Sequence, residues 1–311
     1  MKISSIRETT SLALIIGGLI NVCYILSSYS HYLEVYSLCG IDDVKIIQPN
    51  LLSLLSINQV ILFAGTYGIL SPYIKSLLSK LTRDELKRLF HYFVLSCGSL
   101  YYYDKKLSIR FYSKDLTLHR IFSDLAYITY NKYPTTIKIR NSYVTQFYNK
   151  NIIIKKLDDV MNERKEMKKE FIRMLMSSDG WITCFLSSNR IYPKLGLGST
   201  MPHKELERLS SLLSEFKINF NIYIDPRYGD RGFLASSSFS NLESFAEIGG
   251  FIEGVQIKKG VFEGIEKKTL LHAIIRLKDF KFRNKEEALQ NLRWAGMDDN
   301  LKAYLYRIML G

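Results

Sequence analysis

Apolar and polar residues change their period several times along this chain, and each change marks an element. From Ile172 to Ser178 the residues are helix-compatible; Asp179-Gly180 follows and an apolar run begins at once at Trp181. Trp181 to Ser188 and Tyr192 to Leu197 read as a strand pair. His203 to Phe216 places Leu206, Leu209, Leu212, Leu213 and Phe216 at helical spacing, which predicts an amphipathic helix. Asn219 to Asp225 alternates, with Phe220, Ile222 and Ile224 on one face and Asn219, Asn221, Tyr223 and Asp225 on the other. Gly232 to Phe239 supplies a partner strand after the turn Pro226 to Asp230, and Asn241 to Ile252 returns as a helix. The order is αββαββα.

The same order is legible upstream. Asp84 to Leu95 is a helical stretch running into Ser96-Cys97-Gly98, and Ser99 to Tyr103 and Leu107 to Tyr112 form a strand pair. Leu116 to Tyr130 has the amphipathic helical pattern, and Thr135 to Arg140 and Tyr143 to Tyr148 complete a second strand pair. Gly98 and Gly180 therefore hold equivalent places. A glycine after the last helical turn is expected to let the backbone leave the helix. In the second copy it is preceded by an acid, Asp179.

The stretch Ile172 to Gly180, followed by this element order, resembles the signature helix and repeat of the LAGLIDADG homing-endonuclease family. The resemblance implies an α+β fold of two LAGLIDADG-like repeats forming a saddle of antiparallel sheets. Two signature helices would pack side by side, each presenting one acid to divalent metal at the DNA backbone. Carried over residue by residue, Asp179 falls on the catalytic, metal-binding acid, whereas the equivalent place in the first repeat is Cys97. A neutral thiol is a poor ligand for a hard ion that takes oxygen donors. The expectation is thus a duplex DNA-binding protein whose cleavage is lost or weakened, with Mg2+ required only if it cuts. Ser96, Ser178, Gly98 and Gly180 fit the small residues of the helix interface. Tyr92 and Met174, where the family prefers glycine or alanine, imply a looser or shifted helix pair. WhiA-type regulators, which join a degenerate LAGLIDADG module to a helix-turn-helix, are a related possibility.

Charge bears on the partner. The chain carries 43 Lys+Arg against 30 Asp+Glu, a net charge of +13, and a polyanion is the commonest reason for such an excess. Residues 1–80 hold only five basic and four acidic residues, so the excess accompanies the repeats. Alternation puts Lys106, Ser108, Arg110, Tyr112 and Lys114 on one side of a strand and Leu107, Ile109 and Phe111 on the other. Thr136, Lys138 and Arg140 alternate with Ile137 and Ile139 in the same way, and Gln146, Tyr148 and Lys150 continue the polar face. With Lys194, Asn219, Asn221 and Tyr223 from the second repeat, these are the candidate DNA-contacting residues, since Arg, Lys, Gln and Asn read base edges in the major groove. The bland alternative is a solvated sheet face.

Other chemistry finds little support. Cys23, Cys39, Cys97 and Cys184 lack a CxxC spacing, the five histidines lack metal-ligand spacing, and Gly196 to Thr200 lacks the lysine of a phosphate loop. No nucleotide cofactor is expected. Two apolar stretches, Leu12 to Leu26 and Leu51 to Leu70, fall short of the roughly 20 continuous apolar residues that span a bilayer. A buried globular core is the expectation there, and a membrane-associated structural protein is the alternative from a different class. Lys285 to Trp294 and Asp298 to Met309, joined around Gly296, have the proportions of a helix-turn-helix exposing Lys302, Tyr306 and Arg307, or of a packed helical hairpin. The expected organisation is an extension (1–80), a degenerate first repeat (81–160), a second repeat (161–260) and a helical C-terminal region (261–311), in an intracellular, DNA-associated monomer with an internal pseudo-twofold. An active, metal-dependent homing endonuclease is the alternative closest to the main reading.

Overall fold

In a computed structural model of the chain, residues 70–103, 106–148 and 156–295 are described. The expected apolar stretch 12–26, nearly all of 51–70, Lys150 and the second helix of the C-terminal hairpin lie outside these residues. Residues Ser76 to Gly311 form one compact unit, separate from Met1 to Lys75. Helix α1 (Pro72–Leu78) is followed by α2 (Arg83–Cys97). Thr82 starts α2 with a reciprocal capping box: its hydroxyl accepts from the Glu85 amide, and the Glu85 carboxylate accepts from the Thr82 amide. Leu86, Leu89, Phe90 and Phe93 recur on the buried face of this helix.

The first sheet follows. Strands β1 (Gly98–Tyr103) and β2 (Lys106–Ser113) pair antiparallel, α3 (Leu116–Tyr130) crosses, and β3 (Thr135–Ile139) and β4 (Ser142–Tyr148) return, giving the order β1-β2-β4-β3. Asp115 caps α3 by accepting from the Thr117 amide at 2.8 Å, and Asn131 ends it in the left-handed conformation at φ 52°. A short α4 (Leu157–Met161) leads to the second copy: α5 (Lys165–Ser178), β5 (Gly180–Ser187), β6 (Arg190–Pro202), α6 (His203–Ser214), β7 (Asn221–Ile224), β8 (Arg231–Ser236) and α7 (Phe239–Glu247). Its sheet has the order β5-β6-β8-β7, the same topology as the first. Ser188 and Asn189, at φ 47° and 59°, make the two-residue hairpin loop whose twist suits the flanking strands. Helix α8 (Lys267–Arg276) and α9 (Lys285–Ala295) follow.

Both copies therefore have the expected α+β architecture. The first core is aromatic: Phe111 stacks on Phe122 at 5.3 Å, and Phe90 meets Phe122 and Phe147 at 5.1 and 5.7 Å. The second is aliphatic, with Ile182, Leu195, Leu197 and Leu234 of the sheet buried, as are Leu206, Leu209, Leu212 and Leu213 of α6. Helices α2 and α5 pack on one another. The helix expected to reach Ile252 stops at Glu247, because Gly249 and Gly250 adopt φ 100° and 60°. The helix expected from Gly264 begins at Lys267. Among the described residues, no helix is long and apolar enough to cross a membrane.

Candidate nucleic-acid interface

The ends of the paired helices are built alike. Gly98 opens β1 opposite Phe111, and Gly180 opens β5 opposite Leu197. At both glycines the backbone leaves the helix as expected, but neither adopts a positive φ, so a left-handed conformation is not the reason for them. The reason is space. A Cβ on Gly98 would lie 2.7 Å from the Val94 carbonyl oxygen, and one on Gly180 would lie 2.3 Å from that of Met176. In each case the oxygen belongs to the residue four positions earlier, so both strands leave their helix by the same close approach. This places Cys97 and Asp179 at equivalent points.

Asp179 is half-buried, its amide donating to the Leu175 carbonyl at 2.9 Å and its carbonyl accepting from the Gly198 amide at 3.2 Å. Around it the helix end is closed by polar contacts. The buried Ser177 hydroxyl accepts from the Ile252 amide at 2.8 Å, and Ser178, expected as an interface residue, donates back to the Met174 and Leu175 carbonyls of its own helix. The Lys267 ammonium, absent from the expected site, donates to the carbonyls of Ser177 at 2.8 Å and Gly180 at 2.6 Å, on either side of Asp179 in the chain. It stabilises the negative end of α5 as a cation should. Ser96 and Cys97 close α2.

A divalent ion is the cofactor the resemblance implies, and these residues fit one poorly. Among the described residues no cluster of three or more His, Cys, Asp or Glu side chains is positioned to hold a metal. The helix end also already carries the Lys267 charge. Elsewhere burial pushes the Cys184 thiol up to about 12, away from the thiolate form that ligates metals.

The bulky Tyr92 of the helix pair is accommodated by specific partners. Tyr92 stands edge-on to Phe171 at 6.1 Å, and its hydroxyl donates to Glu163 at 2.8 Å, a carboxylate that also receives Arg88 at 2.7 Å. Burial, and then the Glu163 carboxylate, raise the Tyr92 phenol above its ordinary range. Arg164, at the start of α5, forks onto Glu85 of α2 and holds that carboxyl down at about 2.

No family model matches this chain, and no curated protein sequence matches it. Solved structures do. The N-terminal LAGLIDADG domain of DUF199/WhiA is 18% identical, with 56% of this chain covering 86% of that one at a TM-score of 0.39. Full-length DUF199/WhiA from Thermatoga maritima is 17% identical over 74% of this chain and 67% of that one, at 0.41. The LAGLIDADG homing endonuclease I-GzeII, in complex with its DNA target, is 11% identical over 68% and 98%, at 0.42. These similar solved structures include LAGLIDADG proteins.

The register assigns the sheet faces. On β2, Ile109 and Phe111 are buried towards the helices, while Arg110 and the exposed Tyr112 lie on the opposite, open face. Arg110 pairs with Gln146, which shares that face, and Ser108 pairs with Tyr148. Lys106 opens β2 opposite Tyr103, and Lys114 is exposed just past the strand end. Lys138 departs from the expectation. It pairs with Tyr143, and the neighbouring Thr136 pairs with Thr145, whose hydroxyl meets both Thr136 at 2.7 Å and the imidazole Nδ1 of His119 at 2.6 Å. His119 belongs to α3, so Thr136 and Lys138 share the helix-side face, and Ile137 and Ile139 take the open one. Alternation along β3 was legible, but its phase relative to β2 is fixed only by the pairing. Arg140 stands in the β3–β4 turn at φ 52°.

In the second sheet, Asn221, Tyr223 and Lys194 lie on the open face as expected, and Asn219 is exposed just before β7, its backbone held by Asn241 at 2.8 and 2.6 Å. Pairing of Gly180 with Leu197 and of Ile182 with Leu195 sends Trp181, Thr183 and Phe185 to the open face, across from Gly196, Lys194 and Tyr192. The sequence reading missed this aromatic set. Its signal was present: Trp181 and Phe185 are out of phase with the buried Ile182.

Proposed function

We propose that this chain binds duplex DNA through the open faces of its two four-stranded sheets. It would do so as a monomer in which two degenerate LAGLIDADG-like repeats act together. The observation that carries the reading is the one-sided covering of both sheets: helices bury one face of each, and the other displays Arg110, Gln146, Lys194 and Asn221 in a chain of net charge +13. Cations that neutralise backbone phosphates supply affinity, and Arg, Gln and Asn on a sheet have the donors and acceptors to read base edges. Cleavage is lost or weakened, because the place equivalent to Asp179 holds Cys97 and in-line phosphodiester hydrolysis by two metals needs anionic oxygens on both sides. A regulatory role for such a non-cutting binder follows, with magnesium required only by a form that cuts.

The test is titration of labelled duplex DNA by fluorescence anisotropy at several salt concentrations. Arg110→Glu is expected to weaken binding and flatten its salt dependence by about one counterion or more. Lys138→Glu, on the opposite face, serves as the control and changes binding far less. Equal losses from the two substitutions would sink the sheet-face interface. Incubation with DNA and magnesium or manganese addresses hydrolysis: cutting that Asp179→Asn abolishes would establish the active-endonuclease reading instead.

A further inference from the structure

The open face of the second sheet is aromatic to a degree that reading base edges does not explain. Phe185 and Tyr192 form a cross-strand pair, stacked at 5.5 Å with planes 17° apart, and are 50% and 39% exposed. Tyr223 and Phe233 form a second stacked pair at 5.2 Å and 16°, with Tyr223 46% exposed. Trp181 lies between the pairs, its ring 6.4 Å from that of Phe233 and set so closely over Gly196 that a Cβ there would meet the indole at 2.2 Å. The absence of a side chain at Gly196 is what lets the indole lie flat on the sheet. Lys194, exposed and paired with Thr183, is the cation within this row.

The row also leads to a basic cavity. Trp181 and Thr183 form part of the wall of a space of about 490 Å³, whose lining includes Lys114, Lys258 and Lys259. Asp115 is the acid in that lining, and it is engaged by Lys258 at 3.1 Å. Cationic charge therefore predominates at the cavity, and no acidic residue occupies an open-face position between Trp181 and Phe233 on the four strands.

Flat aromatic faces beside cations match an unpaired strand. In a duplex the base faces are hidden by their neighbours and only the edges are offered, to which a phenyl or phenol ring has little to say beyond a thymine methyl. A single strand offers bare base faces that stack on aromatic rings, while its phosphates need lysines close by. We infer that the open face of the second sheet is a stacking platform for an unpaired stretch of DNA, with the bases on Phe185, Tyr192, Trp181 and Tyr223 and the phosphates at Lys194 and the lysine-lined cavity. This rests on the nucleic-acid reading above and assigns the second sheet a different form of the same ligand.

The full chain is titrated with a labelled oligothymidylate and with a duplex of equal length. Both are expected to bind wild type, and the oligothymidylate is expected to quench Trp181 emission, a signal assigned with Trp181→Phe because Trp294 is the other indole. Phe185→Ser with Tyr192→Ser is expected to weaken oligothymidylate binding roughly 10- to 100-fold and duplex binding much less. Lys114→Gln with Lys259→Gln, both at exposed positions, should flatten the salt dependence for the single strand. Unchanged circular dichroism and unfolding midpoint show that these variants stay folded. Duplex binding without oligothymidylate binding, or equal losses for both ligands in the aromatic variant, would overturn the platform and leave the duplex reading standing. Failure of wild type to bind either ligand would overturn both.

Discussion

Gly180→Ala tests the close approach that sets the helix end. An alanine Cβ at this position would lie 2.3 Å from the Met176 oxygen and 2.8 Å from the Met176 Cα, both backbone atoms of α5. Carbon–oxygen contacts ordinarily stay beyond about 3.3 Å, so the strand and the helix end would have to part by about 1 Å. No rotamer relieves this, because neither atom belongs to a side chain. Overpacking of this kind costs about 2–3 kcal/mol, which in a unit of this size lowers the melting temperature by roughly 5–10 °C. Gly98→Ala is the internal comparison: its nearest contacts are the Val94 oxygen at 2.7 Å and the Val94 Cγ1 at 3.0 Å, the second of which can rotate away. About 1–2 kcal/mol is expected there. Thermal unfolding followed by circular dichroism measures both. A Gly180→Ala melt indistinguishable from wild type, or a larger loss for Gly98→Ala, would refute the steric account of the two glycines.

Further expectations follow from the same unit. Lys267→Met leaves the Ser177 and Gly180 carbonyls without this donor and should cost about 1–3 kcal/mol in urea unfolding; an unchanged midpoint would show that the ammonium does not hold the end of α5. The Glu85 carboxyl is held down at about 2 in the folded chain, first by the Arg164 hydrogen bond, against an ordinary 4.5. Its contribution to stability is therefore complete above about pH 4.5 and is lost as the pH falls towards 2. Glu85→Gln should narrow the gap between unfolding midpoints measured at pH 6 and pH 3, and an equal gap in both proteins would count against the pair.

Much of the architecture was legible along the chain, for a local reason. Leu206, Leu209, Leu212 and Leu213 recur at the helical period, and the helix they predict is α6. The Asp115 cap and Asn131 exit bound α3 at the residues its periodicity marks. The element order of both copies could be read because each element buries one stripe or one face, and that stripe is written in the local sequence. Asp179 and Cys97 could be aligned because Gly98 and Gly180 punctuate both helices. That these glycines let the chain leave the helix was legible, whereas the reason, a close approach and not a special φ, was not, since conformational freedom and the need for space leave the same letter in the sequence.

What lies between elements was not legible. Lys267 is 87 positions from the Gly180 carbonyl it reaches, and a lysine in the pattern of an amphipathic helix carries no mark of being buried. The face of Lys138 depends on which residue of β4 stands opposite it, a register set by the hydrogen-bonded pairing of the two strands. A shift of one residue there would have exchanged Lys138 with Ile137. The aromatic row on the second sheet likewise draws on all four strands, and only their pairing brings Trp181, Tyr192, Tyr223 and Phe233 to one surface. The sequence by itself thus determined the elements, their order and the excess of positive charge, because these depend on neighbours a few residues away. The tertiary structure decided which face each charge occupies, which cation closes the helix end and which rings lie together, because those depend on pairings between distant segments.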